Sequence, residues 1–291
     1  MCKPFVKWAG GKSQLLNEIR NKYPANIEKY CEPFVGGGAV LFDVLEKFHP
    51  KEVLINDINF ELINTYNQIK NNIDELIKKL NKYQKDYADK NEEDRLKIYL
   101  KNRDKYNKLI LKYTDDDLLE KASLFIFLNK TCFNGLYRVN KDGLYNVPKG
   151  KYSNPLICDE KNLREINKLL QNVKIINGDF ELCNKFIDKK TFVYIDPPYR
   201  PLNDTASFNS YAKFEFDDKE QIRLGKFIDD ISEKGAKIVL SNSDPKNVNN
   251  KDDFFDDLYK SYNIVRINAK RMINSKGSKR GAVKELLIAN Y

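Results

Sequence analysis

The strongest constraint on the fold of this chain lies in residues 29–57. Lys29-Tyr30-Cys31 reads as a strand running into Glu32-Pro33-Phe34-Val35-Gly36-Gly37-Gly38. Ala39–Phe48 then places Val40, Leu41, Val44, Leu45 and Phe48 at helical spacing. Glu52–Ile55 is a second strand, ending at Asn56-Asp57. Strand, glycine-rich turn, helix, strand and acid form a βαβ unit, which implies a parallel sheet covered by helices.

The rest of the chain alternates in character. From Ile58 to Tyr113 it is rich in Lys, Asn, Glu and Asp, with Leu and Ile at helical intervals, and reads as several amphipathic helices. Ala122–Leu128 is more apolar. Asn129–Gly150 carries an Asp142-Gly143 step, a hairpin signal, and several basic residues. The α/β alternation resumes with strands at Val173–Ile176, Phe192–Ile195, Ala236–Leu240, Ile264–Ile267 and Leu286–Ala289. A helix is expected over Gln221–Glu233, with Ile222, Leu224, Phe227, Ile228 and Ile231 apolar, and a solvated loop over 244–257. The expected organisation is a catalytic α/β domain from residues 1–58 and 158–291, interrupted by a recognition insertion at 59–157.

Composition removes several function classes. The chain of 291 residues carries 51 Lys+Arg against 42 Asp+Glu, a net charge of +9 that favours a polyanionic partner. Its five cysteines are dispersed without a CxxC pair, so neither a zinc site nor a redox dithiol is signalled; free thiols in a reducing cytoplasm are expected. Lys3, Lys7 and Trp8 interrupt any signal peptide, and no segment approaches the roughly 18 apolar residues of a membrane span. The single histidine, His49, precedes Pro50 in an expected loop, which removes Ser-His-Asp and Cys-His sites.

The chemistry concentrates where the strand Phe192–Ile195 ends in Asp196-Pro197-Pro198-Tyr199. A carboxylate accepts hydrogen bonds, and prolines have stiff backbones without N–H groups, leaving their carbonyls as acceptors. The tyrosine offers a flat face for stacking. Acceptors beside such a face suit the amino group of a planar heterocycle, adenine N6 or cytosine N4. The plainer alternative is a Pro-Pro turn with a solvated acid and a surface ring.

Three further strand ends carry ligand groups: the glycine turn at 36–38, Asp57 and Asp179. Asp57 follows Gly36 by 21 residues, about the separation at which an acid grips a ribose. The third glycine of the dinucleotide fingerprint is missing, since Leu41 stands there. Gly11-Lys12-Ser13 lacks the upstream glycine of a P-loop, since Val6 holds that position. A nucleoside without phosphates fits better, and S-adenosyl-L-methionine is such a ligand.

Four blocks, in order, then carry a family resemblance: Lys7-Trp8-Ala9-Gly10-Gly11-Lys12; Glu32–Gly38; Asn134–Asn140 with Asn146-Val147-Pro148; and Asp196–Tyr199. The chain resembles the Dam-like DNA adenine-N6 methyltransferases (D12 class, group alpha), most closely those of restriction–modification systems acting on GATC. The resemblance implies a seven-stranded, Rossmann-like methyltransferase sheet with an inserted helical and β-hairpin target-recognition domain. It implies S-adenosyl-L-methionine as methyl donor, leaving S-adenosyl-L-homocysteine, with Trp8, Lys12, Phe34, Gly36, Gly38, Asp57, Asp179, Phe180 and Asp196 around the cofactor. Asp196, Pro197 and Tyr199 become catalytic, and Lys7, Phe133, Asn134, Leu136, Arg138 and Pro148 become DNA contacts. Phe133 stands where many relatives carry Tyr, which keeps a stacking wedge and loses a hydroxyl.

The implied partner is duplex DNA containing GATC, with a cognate endonuclease as functional companion. The expected protein is a cytoplasmic, nucleoid-associated monomer with no membrane contact. Arg138 would read a guanine, Leu136 and Pro148 the thymine step, and Lys7 the guanine before the target adenine. Lys141, Lys149 and Lys151 read as phosphate contacts, with solvated surface as the alternative for each. Cytosine-C5 chemistry is excluded, because no cysteine follows a proline. An N4-cytosine enzyme, an adenine enzyme with a longer site, a silent DNA-binding module and an RNA-binding protein remain the alternatives at this point.

Overall fold

The computed structural model describes residues 2–200, 216–270 and 282–291. Its strands are β1 (Lys29–Glu32), β2 (Glu52–Asp57), β3 (Val173–Asn177), β4 (Thr191–Ile195), β5 (Lys237–Ser243), β6 (Asn263–Lys270) and β7 (Ala282–Ala289). They form one seven-stranded sheet in the order β3-β2-β1-β4-β5-β7-β6. The first five are parallel, and β7 runs antiparallel between β5 and β6. The uninterrupted apolar character of β4 follows from its place: every residue of it is buried, between β1 and β5 and beneath helices on both faces.

Helices cover the sheet as the βαβ reading requires. They are α1 (Leu16–Arg20), α2 (Ala39–Phe48), α3 (Phe60–Asn71), α4 (Ile73–Ala88), α5 (Glu92–Leu111), α6 (Leu118–Thr131), α7 (Glu160–Leu170), α8 (Asp218–Glu233) and α9 (Phe254–Leu258). One buried cluster joins a sheet face (Tyr30, Val53, Ile55, Phe192, Tyr194) to α2 and α7, and also to α3–α6 and the 132–147 segment. The helices between β2 and β3 therefore share their core with the sheet. A second cluster packs α8 and α9 on the opposite face, around Val193, Ile195, Ile238 and Leu240.

Local chemistry sets the element ends. Asn59 caps α3 through Leu62 N–H at 3.0 Å, and Asn91 caps α5 through Asp94 N–H at 2.9 Å. On α8, Leu224, Phe227, Ile228 and Ile231 are buried as their spacing predicts, whereas Ile222 faces out. Segment 244–257 departs from the expected solvated loop. Asp244 is fully buried against Arg266, Phe255 is buried, and α9 begins within the segment. The hairpin signal at Asp142-Gly143 is realised as a turn, Gly143 N–H donating to Asn140 O at 2.9 Å. It is supported by two isolated antiparallel bridges, Val139 with Tyr145 and Cys132 with Lys149. All five cysteines are free, and His49 is exposed at the end of α2. Among the described residues, no helix is long and apolar enough to cross a membrane.

Candidate active site

The parallel strands deliver their carboxyl ends to one edge of the sheet. Reading along that edge gives Asp179 after β3, Asp57 at the end of β2, the glycine turn after β1, and Asp196 after β4. The strand order reverses between β1 and β4, where ligands bind in open α/β sheets. The sequence order of these residues is thus converted into a row of neighbours.

The glycine turn is shaped by what packs against it. Gly36 and Gly38 adopt φ of +49° and +77°, in the left-handed region. A Cβ on Gly38 would lie 2.4 Å from the Tyr66 hydroxyl, and one on Gly36 would lie 2.9 Å from Trp8 Cδ1. Tyr66 donates to Gly36 O at 3.0 Å, and Gly36 N–H donates to Asp57 Oδ2 at 3.0 Å. Asp57 Oδ1 accepts from Asn59 N–H at 2.9 Å. Burial pushes the Asp57 carboxyl up to about 6, against the pull of these backbone donors. The turn and the acid are therefore one hydrogen-bonded unit.

At the next strand end, the Phe34 and Phe180 rings lie 5.4 Å apart. Arg223 of α8 covers Phe180 at 4.2 Å and donates to both oxygens of Asp179, at 3.0 and 2.7 Å. The guanidinium holds the Asp179 carboxyl below its ordinary range. Arg223 carries no motif, and only the packing of α8 reveals it.

The Asp196–Tyr199 segment is held almost entirely through side chains, as its two prolines dictate. Asp196 Oδ1 accepts from Ser241 Oγ at 2.9 Å and pairs with Lys12 Nζ at 2.7 Å. Tyr194 OH backs Ser241 at 2.9 Å. Lys12 is buried; it donates to Gly10 O at 2.6 Å and sits 4.7 Å from the centroid of the Tyr199 ring. Tyr199 OH donates to Glu285 Oε2 of β7 at 2.6 Å. Gln221 donates to Pro198 O at 3.1 Å. Among the described residues, nothing donates to Asp196 Oδ2 or to the Pro197 carbonyl. Burial raises the carboxyl of Asp196, and Lys12 and Ser241 oppose that rise.

A second group of residues meets at the carboxyl end of α6. Phe133–Gly135 forms a tight turn in which Asn134 has φ +55°, a left-handed conformation that asparagine tolerates. Phe133 is half exposed, and its N–H donates to Pro148 O at 2.8 Å. Gly135 abuts Lys7: a Cβ there would stand 2.5 Å from Lys7 Cδ. Buried Asn129 ties the two segments together. Its Oδ1 accepts from Lys7 N–H at 2.8 Å, and its Nδ2 donates to Lys7 O and Gly135 O at 2.9 Å each. Trp8 stacks on Tyr137, with centroids 5.6 Å apart, so the same ring touches Gly36 and this segment. Leu136 is half-buried, Pro148 is exposed, and exposed Arg138 donates to Asn146 Oδ1 at 2.8 Å. Lys149 is committed to Glu92 at 2.7 Å, whereas Lys141 and Lys151 are exposed.

The profile of the family described as "D12 class N6 adenine-specific DNA methyltransferase" matches residues 8–273. The chain is 52% identical to the Type II methyltransferase M.MjaIII of Methanocaldococcus jannaschii, over 99% of both chains. It is 37% identical to the Type II methyltransferase M1.LlaDCHI of Lactococcus lactis subsp. cremoris, over 99% of this chain and 95% of the relative. It is 33% identical to the DNA adenine methylase of Haemophilus influenzae, over 98% and 92%. A family match over residues 8–273, with relatives 33–52% identical along nearly the whole length, identifies the chain as a member of the D12 class of N6 adenine-specific DNA methyltransferases.

Proposed function

We propose that the enzyme methylates adenine N6 within GATC sites of duplex DNA, using S-adenosyl-L-methionine and releasing S-adenosyl-L-homocysteine, as the modification arm of a restriction–modification system. The observation that carries the reading is a pair of acceptors, Asp196 Oδ2 and the Pro197 carbonyl, to which nothing donates among the described residues, in the same tetrapeptide as the Tyr199 ring. They match the two N–H bonds of an aromatic amine. The Type II methyltransferase names of two relatives support the restriction–modification setting.

The chain divides its work by region in this reading. Residues 1–58 and 158–291 make the catalytic part, and 59–157 supply target recognition. Gly36 and Gly38, with their positive φ, let backbone approach the cofactor closely, while Asp57 takes its ribose hydroxyls. Trp8, Lys12 and Phe34 bound that pocket. Asp179, gripped by Arg223, and Phe180 take the adenine end. When bound, the sulfonium of the cofactor supplies an electrophilic methyl group.

A target base must leave the duplex stack, at a cost of about a few kcal/mol. Phe133, half exposed on its turn, fills the gap, and Tyr199 stacks the extruded adenine. The N6 lone pair is delocalised into the ring and is a weak nucleophile. Asp196 and Pro197 hold the two N–H bonds toward tetrahedral geometry, which frees that lone pair and stabilises the positive charge that develops on nitrogen. Asp196 need not take the proton first, since the amine becomes acidic only as the methyl group arrives. Arg138 reads a guanine by a bidentate contact, with Asn146 orienting it, and Lys7 reads the guanine before the target. Asn134 lies at the same contact, and Leu136 and Pro148 meet the thymine methyl. The enzyme works as a monomer in the cytoplasm, on the nucleoid.

Transfer of labelled methyl groups to duplexes that differ only in having GATC or GTAC tests this reading. Strong labelling of the first and background labelling of the second is expected. Equal labelling of both would refute the site assignment.

A further inference from the structure

We propose that Glu285, on β7, is a positioning residue for methyl transfer: it fixes the Tyr199 ring by its phenol, so that the stacked base meets the Asp196 and Pro197 oxygens. The proposal rests on the reading that these groups receive the target adenine.

The tetrapeptide cannot hold itself in place. Its prolines donate no backbone hydrogen bond, so its geometry depends on outside anchors. Three elements provide them. Ser241 of β5 holds Asp196, Gln221 of α8 holds Pro198 O, and Glu285 of β7 holds Tyr199. The Tyr199–Glu285 bond is 2.6 Å, the length of a hydroxyl donating to a charged oxygen, among the stronger hydrogen bonds in proteins.

The sheet register explains why one strand pair serves both ends of the base site. Glu285 lies directly opposite Ser243 on β5, two residues beyond Ser241. Side chains two apart share a face of a strand, so the hydroxyl that fixes the carboxylate and the carboxylate that fixes the ring stand on one face of the β5–β7 ladder. Lys12 closes the arrangement, paired to Asp196 and lying over the Tyr199 ring. A chain of contacts thus runs from Ser241 through Asp196, Lys12 and Tyr199 to Glu285. Free rotation of the ring would leave Asp196 in place and still misalign the base, and misalignment of about 1 Å is costly in rate.

The test measures single-turnover methyl transfer and cofactor affinity in Glu285→Ala, Glu285→Gln, Tyr199→Phe and the Tyr199→Phe/Glu285→Ala double variant, on a duplex that the wild-type enzyme methylates. Glu285→Ala is expected to slow transfer about tenfold, the order of one lost hydrogen bond, with cofactor Kd unchanged. Glu285→Gln, whose amide oxygen still accepts from the phenol, restores most of the rate. Tyr199→Phe resembles Glu285→Ala, and the double variant is no slower than either, because both remove the same bond. With 2-aminopurine as the target base, emission from the Glu285→Ala complex exceeds that of the wild type, reporting looser stacking. A wild-type rate for Glu285→Ala, or multiplied defects in the double variant, overturns the proposal. Should Glu285→Ala fail to fold, a wild-type rate for Tyr199→Phe overturns it equally. A wild-type enzyme that places no methyl group on adenine overturns the functional reading as well, whereas normal adenine methylation by both wild type and Glu285→Ala overturns the role of Glu285 alone.

Discussion

Lys12 and Ser241 converge on the same oxygen of Asp196: the ammonium lies 2.7 Å from Oδ1 and the hydroxyl 2.9 Å from it. The carboxylate is thereby held through one oxygen, while among the described residues nothing donates to the other. In its proposed role as acceptor for the target amine, this half-buried acid gains twice from the arrangement, since the cation opposes the rise that burial imposes on the carboxyl and the two anchors fix its rotation.

Replacing Lys12 by Met should separate these effects. Burial already raises the Asp196 carboxyl, and Lys12 is the largest influence opposing that rise. Without the cation the carboxyl rises further, so less of it is ionised at a given pH, and the acid limb of the pH–rate profile moves to higher pH. Single-turnover rates across pH check this; a limb that stays in place would show that Lys12 does not keep Asp196 charged.

Asp57 gives a second pH dependence. Its folded carboxyl titrates at about 6, above the ordinary 3.8. Protonation is thus favoured by the fold: this contribution to stability is complete below about pH 4 and is lost as pH rises through 6. Ribose hydroxyls donate better to the ionised form. Cofactor affinity should therefore weaken about tenfold between pH 7.5 and 5. Asp57→Asn should bind weakly with little pH dependence. Calorimetric titration at several pH values checks both, and a parallel pH response in the variant would assign the effect elsewhere.

Arg138 is exposed and oriented by Asn146. Arg138→Ala should cost about 1–3 kcal/mol of discrimination at one base pair, leaving the cofactor site untouched. Competition among singly substituted sites measures this; an unchanged preference would remove Arg138 from base reading.

The legible part of this protein was local. The βαβ unit at 29–57 and the strand before Asp196 emerge from periodicity and turn chemistry, because their signals lie within a few residues of each other. What stayed hidden was tertiary. Glu285 lies 86 residues from Tyr199 and reaches it only because β7 inserts antiparallel between β5 and β6. Arg223 looks like an ordinary exposed position of an amphipathic helix until α8 packs beside Asp179. Segment 244–257 reads as solvated from its Asp, Asn and Lys content, yet Arg266, from a later strand, neutralises the buried Asp244. The pairing of Lys149 with Glu92 of α5, 57 residues away in sequence, is likewise invisible in the local pattern.

The most direct measurement of the central claim is the identity of the modified nucleoside released from a GATC duplex after reaction with S-adenosyl-L-methionine. The wild-type enzyme should yield N6-methyladenine at that site, and Asp196→Asn should yield none while still binding the duplex. Methylation of cytosine, or near-normal adenine methylation by Asp196→Asn, would contradict the assignment of the Asp196–Pro197 oxygens as the amine-binding pair.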